Sequence, residues 1–265
     1  MKEEKIVIDD LGINYKIAGQ GEPLLIWHGW GGSSDSWQKV QENLAQNFQV
    51  ISLDLPGFGK SSNPPQPWQI DDYLAILSKF AEKMGLQSFY LVGHSFGGGL
   101  AVKFSAQNPQ KVKALVLAGA AVFRSRKRLN WRQKIASALA KAGSIFEKTP
   151  FIGESLYPLA RRVVYRFAGV HDYGRANGVM KETFKNVISE DLSAYLSQIK
   201  APTLILWGKD DKSTPLEDAF AAQKLISNSQ VKIIEKANHS PHLTQPEMTA
   251  GSISNFLQST PVGQA

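Results

Sequence analysis

The sequence predicts an α/β protein, a mostly parallel sheet with helices on both faces. Short apolar runs alternate along the chain with longer segments of helical period. Several of the runs, such as Pro23-Leu24-Leu25-Ile26-Trp27, are apolar throughout, as a strand covered on both faces must be. Most of them end in clusters of glycine, serine and charged residues, where loops leave the sheet.

Lys5-Ile6-Val7-Ile8-Asp9 and Ile13-Asn14-Tyr15-Lys16-Ile17 read as edge strands joined by a hairpin at Asp10-Leu11-Gly12. The buried run Pro23–Trp27 ends at His28-Gly29-Trp30-Gly31-Gly32. Ser34-Asp35-Ser36 then offers capping groups to a helix over 37–46. Strand Gln49–Leu53 is closed by Asp54-Leu55-Pro56-Gly57-Phe58-Gly59-Lys60-Ser61-Ser62. Gly59-Lys60-Ser61 resembles the end of a phosphate-binding loop, but the required earlier glycine is Asp54 and prolines follow, so no nucleotide site is expected.

The spacing predicts a helix over 70–81, ending near Gly85. Phe89-Tyr90-Leu91-Val92 then runs into Gly93-His94-Ser95-Phe96-Gly97, followed by a buried helix from Leu100 to Ala106. A serine on such a strand-to-helix turn stands clear of the sheet at the positive end of the helix. Lys111–Gly119 is the next strand. From Val122 to Asn186 the alternation stops, and a basic, aromatic segment of helical pattern takes its place. Alternation returns with Ala201–Trp207, a helix over 216–225, strand Val231–Glu235, and a final helix over 246–257. The core is therefore expected in two pieces, 1–121 and 187–265, around an insertion at 122–186.

The net charge of +7 raises the question of a nucleic-acid partner. Its distribution answers it. Residues 122–186 hold fourteen Lys/Arg against four Asp/Glu, whereas the rest of the chain holds sixteen against nineteen. The excess belongs to one segment without a nucleic-acid motif, so a solvated helix face is expected, with attraction to acidic substrates or an anionic lipid surface as the secondary reading. The absence of cysteine removes disulfides and thiolate chemistry. The charged start, Met1-Lys2-Glu3-Glu4-Lys5, lacks an apolar leader, and no run is long enough to span a bilayer, so a cytoplasmic location is expected. Oligomeric state is not legible.

Ligands of open α/β sheets bind at the carboxyl ends of the strands. His28-Gly29-Trp30, Ser95, Asp210-Asp211 and His239 each follow a strand. The chain order is serine, acid, histidine. A serine hydroxyl needs a base, and that base needs a carboxylate to orient it. Asp210 and Asp211 compete for the acid, and His239 competes with His242, His94, His28 and His171 for the base. The histidines show no metal-ligand spacing.

With these motifs the chain resembles the α/β-hydrolase superfamily, in the branch that carries a helical cap after the sixth core strand. The resemblance implies an eight-stranded, mostly parallel sheet and a triad of Ser95, Asp211 and His239. Asp211 is preferred because Gly208 and Pro215 match the family's pattern around its acid. By the same resemblance, the oxyanion hole is the backbone N–H of Trp30 and of Phe96. His28 and Gly29 are placed beside the pocket, with His28 ordering the oxyanion loop and His94 buried beneath the turn. Trp131, Phe146, Phe151 and Tyr157, with Phe167 and Phe184, are candidates to roof it. A serine at this position excludes the family's Asp-dependent epoxide hydrolases and dehalogenases. What remains is an esterase acting on a small-molecule ester without cofactor or metal. Carbon–carbon bond hydrolase, thioesterase, lactonase and lysophospholipase-like activities share the same triad, and a non-catalytic binding scaffold is the rival from another class.

Overall fold

The computed structural model describes residues 1–124 and 178–260. Eight strands form one sheet: β1 (Lys2–Ile8), β2 (Leu11–Ala18), β3 (Pro23–Trp27), β4 (Gln49–Leu53), β5 (Phe89–His94), β6 (Val112–Ala118), β7 (Thr203–Gly208) and β8 (Ser229–Ile234). Their order across the sheet is β1-β2-β4-β3-β5-β6-β7-β8. β2 runs antiparallel to both its neighbours, and every other adjacent pair is parallel. The first hairpin turns at Asp9 and Asp10, with φ of 46° and 65°, slightly before the expected Asp10-Leu11-Gly12. Aspartate tolerates this left-handed backbone better than most residues.

The apolar runs are apolar throughout because both faces of the sheet are covered. Leu25, Trp27, Leu91, Leu115 and Leu117 point to one core. Their neighbours Leu24, Ile26, Val92, Ala114 and Val116 point to the other, following the two-residue period of a strand. The first core is closed by helices α1 (Ile70–Lys83) and α2 (Phe96–Gln107), through Tyr73, Leu77, Phe80, Leu100 and Phe104. The second is closed by α3 (Gln38–Leu44) and α4 (Pro246–Ser259), through Val40, Leu44, Ile253 and Phe256. Full burial of each such side chain contributes about 1.5–3 kcal/mol. Helix α5 (Leu216–Leu225) matches its expected span.

Three local expectations need correction. The helix after β5 starts at Phe96 rather than Leu100, because its glycines lie against the sheet rather than forming a loop. The helix expected over 37–46 opens with a 3₁₀ turn, Ser34–Trp37, and has no side-chain cap. The Ser34 N–H donates instead to the Asp54 carboxylate at 2.6 Å, in the loop after β4. Asp54 also accepts from the Lys60 N–H at 2.8 Å and from Asn14 Nδ2 at 2.9 Å. This buried carboxylate thus organises the loop that resembles a phosphate-binding motif. Two one-turn helices, Ser193–Leu196 and Pro241–Thr244, carried no periodic signal.

Residues 122–124 and 190–192 meet at the base of the insertion. The Leu192 N–H donates to the Val122 carbonyl at 3.1 Å, and the Arg124 N–H donates to the Asp191 carboxylate at 2.7 Å. Nearby, Lys103 of α2 has a side chain only 4% exposed and pairs with Asp71 at 2.6 Å and Glu190 at 2.8 Å. Helix α6 (Val179–Ser189) spans the expected junction at 186/187. It is held to the Trp68 peptide, whose N–H donates to Thr183 Oγ1 at 3.0 Å and whose carbonyl accepts from Asn186 Nδ2 at 3.2 Å. Among the described residues, no helix is long and apolar enough to cross a membrane.

Candidate active site

Ser95 sits between β5 and α2 with φ 50° and ψ −113°, an unusual backbone for a residue with a side chain. Three backbone bonds hold it there. Its N–H donates to the Ala118 carbonyl at 3.0 Å, and its carbonyl accepts from Gly99 at 3.0 Å and Ala121 at 2.9 Å. Gly97 permits the turn: a Cβ there would lie 2.3 Å from the Trp27 carbonyl oxygen, so α2 could not reach the end of β3. As the first residue of α2, Phe96 has no helical acceptor for its N–H, at the end where the helix dipole is positive.

The loops after β7 and β8 bring the acid and histidine to this serine. His239 Nε2 lies 2.9 Å from Ser95 Oγ, and His239 Nδ1 lies 2.8 Å from Asp211 Oδ2. A carboxylate oxygen can only accept, so Nδ1 carries the proton and Nε2 faces the hydroxyl as an acceptor. Asp211 is fixed from behind. Its Oδ1 accepts from the N–H groups of Ser213 at 2.8 Å and Thr214 at 3.0 Å, and its Oδ2 contacts Thr214 Oγ1 at 2.8 Å. Burial pushes the Asp211 carboxyl up, but the bonds from His239 and Thr214 outweigh it and hold the group below the usual carboxylate range. Asp210 is exposed, and its backbone N–H joins the acid loop to the Ala237 carbonyl at 2.9 Å.

Gly29 brings the 28–32 loop alongside the serine, since a Cβ on it would lie 3.1 Å from Ser95 Cβ. His28, expected beside the pocket, is 1% exposed and supports the loop from within. Its Nε2 accepts from the Leu55 N–H at 3.0 Å, so Nδ1 carries the proton and donates to the Gly29 carbonyl at 2.7 Å. The Trp30 ring lies 4.8 Å from Phe58, 5.3 Å from Phe96 and 4.8 Å from Phe184, centre to centre. These rings form an aromatic wall beside the turn. Trp131, Phe146, Phe151, Tyr157, Phe167 and His171 lie outside the described residues.

His242 is 3% exposed and stacks flat on Trp37 at 4.3 Å, whereas the imidazole that meets Ser95 Oγ is that of His239. Three histidines are thus buried behind the site. Burial pushes the His28 imidazole down to about 4, and burial followed by the nearness of His239 and His28 pushes His242 to about 3. Burial also holds His94 well below its ordinary value. All three are neutral in the fold and protonate more readily once unfolded, so stability is fully present above about pH 6.5 and falls as pH drops toward the folded values. Each costs about 1.4 kcal/mol per pH unit in that window. Urea unfolding at pH 7.5 and pH 5 should therefore differ by at least about 3 kcal/mol, before the carboxylates titrate. An unfolding free energy flat over that range would contradict the burial of these neutral rings.

A family model described as the alpha/beta hydrolase fold matches residues 22–246. The chain belongs to the α/β-hydrolase superfamily, and its lipase-like relatives support a hydrolase. The monoacylglycerol lipase ABHD6 of Homo sapiens is 28% identical over 258 residues, covering 91% of this chain and 77% of that one. Lipase 1 of Psychrobacter immobilis is 28% identical over 254 residues, covering 89% of this chain and 77% of that one. The crystal structure of a membrane phospholipase A, described as a novel bacterial virulence factor, superposes with a TM-score of 0.77 at 26% identity. It covers 98% of this chain and 86% of that one.

Proposed function

We propose that the protein is a serine esterase that cleaves carboxylic esters of small to medium acyl chains through an acyl-enzyme on Ser95. The observation that carries this reading is the unbroken run from Ser95 Oγ through His239 to Asp211, with contacts of 2.9 and 2.8 Å. His239 Nε2 takes the serine proton as the hydroxyl attacks the ester carbonyl, and Asp211 stabilises the imidazolium that forms. The N–H groups of Trp30 and Phe96 receive the developing oxyanion, each contributing about 3 kcal/mol to the transition state. Collapse of the tetrahedral species expels the alcohol, which takes the proton from His239. Water, deprotonated by the same nitrogen, then releases the acid.

Trp30, Phe96 and Phe184 offer an apolar surface to the acyl group, and Trp131, Phe146, Phe151 and Tyr157 would extend it from a helical cap over 122–186. Glycerolipid esters, including monoacylglycerols and lysophospholipids, are the second reading. The lipase and phospholipase names of the relatives favour it, as does the positive charge of 122–186, which suits an anionic lipid surface.

A partitioning experiment tests the acyl-enzyme. Esters that share one acyl group but differ in their alcohol are cleaved in the presence of methanol, and methyl ester is measured against free acid. One common intermediate gives one product ratio whatever the leaving group. A ratio that follows the leaving group would contradict the reading, as would failure to cleave any ester above background.

A further inference from the structure

His94 takes no part in the reaction above, yet it touches three parts of the site. It precedes Ser95 in the chain and is 6% exposed. Its Nε2 lies 2.8 Å from the backbone carbonyl oxygen of His239. A carbonyl only accepts, so that nitrogen carries the ring's proton. The opposite edge faces the 28–32 loop: a Cβ on Gly29 would lie 2.7 Å from His94 Nδ1. The ring is held in turn by His242, 4.5 Å away and edge-on, which stacks on Trp37.

We propose that His94 is a positioning residue, whose Nε2–H bond to the His239 carbonyl sets the distance between base and nucleophile. The proposal rests on the roles given above to Ser95 and His239. The His239 loop reaches the serine across the whole gap between β8 and β5, with β6 and β7 lying between them. A bond to the residue next to Ser95 replaces that long path with a short one. Reacting groups displaced by about 1 Å lose rate by as much as 100-fold, while substrate binding is largely retained.

The test compares His94→Met, which removes the donor at similar volume, with His94→Gln, which restores an N–H at a similar reach. Rates are expressed per active site, counted by stoichiometric labelling with a fluorophosphonate, so that unfolded protein drops out. In His94→Met, kcat per site should fall about 10- to 100-fold with KM within about twofold. His94→Gln should recover to within about fivefold of the parent. The proposal is overturned if His94→Met keeps its kcat per site, or if glutamine does no better than methionine. Should neither variant fold, nitrogen NMR of the unaltered protein decides, with a bare Nδ1 and a slowly exchanging Nε2–H expected for His94. A protonated Nδ1 there would overturn it. Loss of this proposal alone would leave Ser95→Ala inactive, whereas failure of the esterase reading would leave Ser95→Ala active.

Discussion

Replacing Ser95 with alanine is expected to lower kcat for a p-nitrophenyl ester by about 10⁶-fold, the scale on which serine hydrolases lose activity with their nucleophile. Without the hydroxyl, His239 can act only on water. The remaining rate, about 10³–10⁴ above the uncatalysed reaction, comes from the oxyanion donors and from binding. The fold should be little affected. Ser95 is held by backbone bonds to Ala118, Gly99 and Ala121, all of which alanine keeps. Thermal unfolding of the variant should therefore stay within about 2–4 °C of the parent. A rate reduced less than about tenfold in a protein with an intact melt would remove Ser95 from the mechanism.

The acid gives the second large effect. Asp211→Asn should lower kcat by about 10⁴-fold. The asparagine amide can present a donor where the carboxylate accepted the Nδ1 proton, which moves that proton to Nε2. The ring then faces Ser95 as a donor and cannot take its proton. Asp210→Asn should change kcat by less than about threefold, since that side chain is exposed and its link to the His239 loop runs through its backbone. Steady-state kinetics of the two variants decide between the adjacent carboxylates, and the reverse order would transfer the role to Asp210.

The strand pattern was legible in the chain because burial on both faces leaves an unmistakable signal. Leu24, Leu25, Ile26 and Trp27 are all apolar, whichever core each one enters. The turn at Ser95 was legible for a different reason: a strand, a small residue, a serine and glycines together describe one turn. The supports of the site left weaker traces. Thr214 steadies Asp211 through both its N–H and its hydroxyl, and such a contact follows from the turn rather than from any period. Gly208 reads in the sequence as part of the acid motif. In the fold, a Cβ on it would lie 2.1 Å from the Asn238 carbonyl oxygen, so it is what lets the His239 loop pass. His242 sits near His239 in sequence and looks like a rival base. Only packing shows its ring lying against Trp37.

The missing cap at Ser34 has a physical cause in the neighbouring loop. Asp54 reaches back to Asn14 and Ser34, and His28 reaches forward to Leu55, so the loops at this edge of the sheet are organised by one another. Local propensity describes each loop alone. It read Ser34-Asp35-Ser36 as caps because serine and aspartate usually cap, whereas the N–H concerned finds a buried carboxylate from the next loop. Such long-range polar pairing is costly to lose, because each buried group left without its partner costs about 1–3 kcal/mol.

Site mapping of a covalent adduct identifies the nucleophile. The native protein is treated with a fluorophosphonate, digested, and the modified peptide sequenced by mass spectrometry. One adduct per chain is expected, on Ser95, absent after urea unfolding and absent from Ser95→Ala. A native protein labelled at another residue, with Ser95 unmodified, would contradict it.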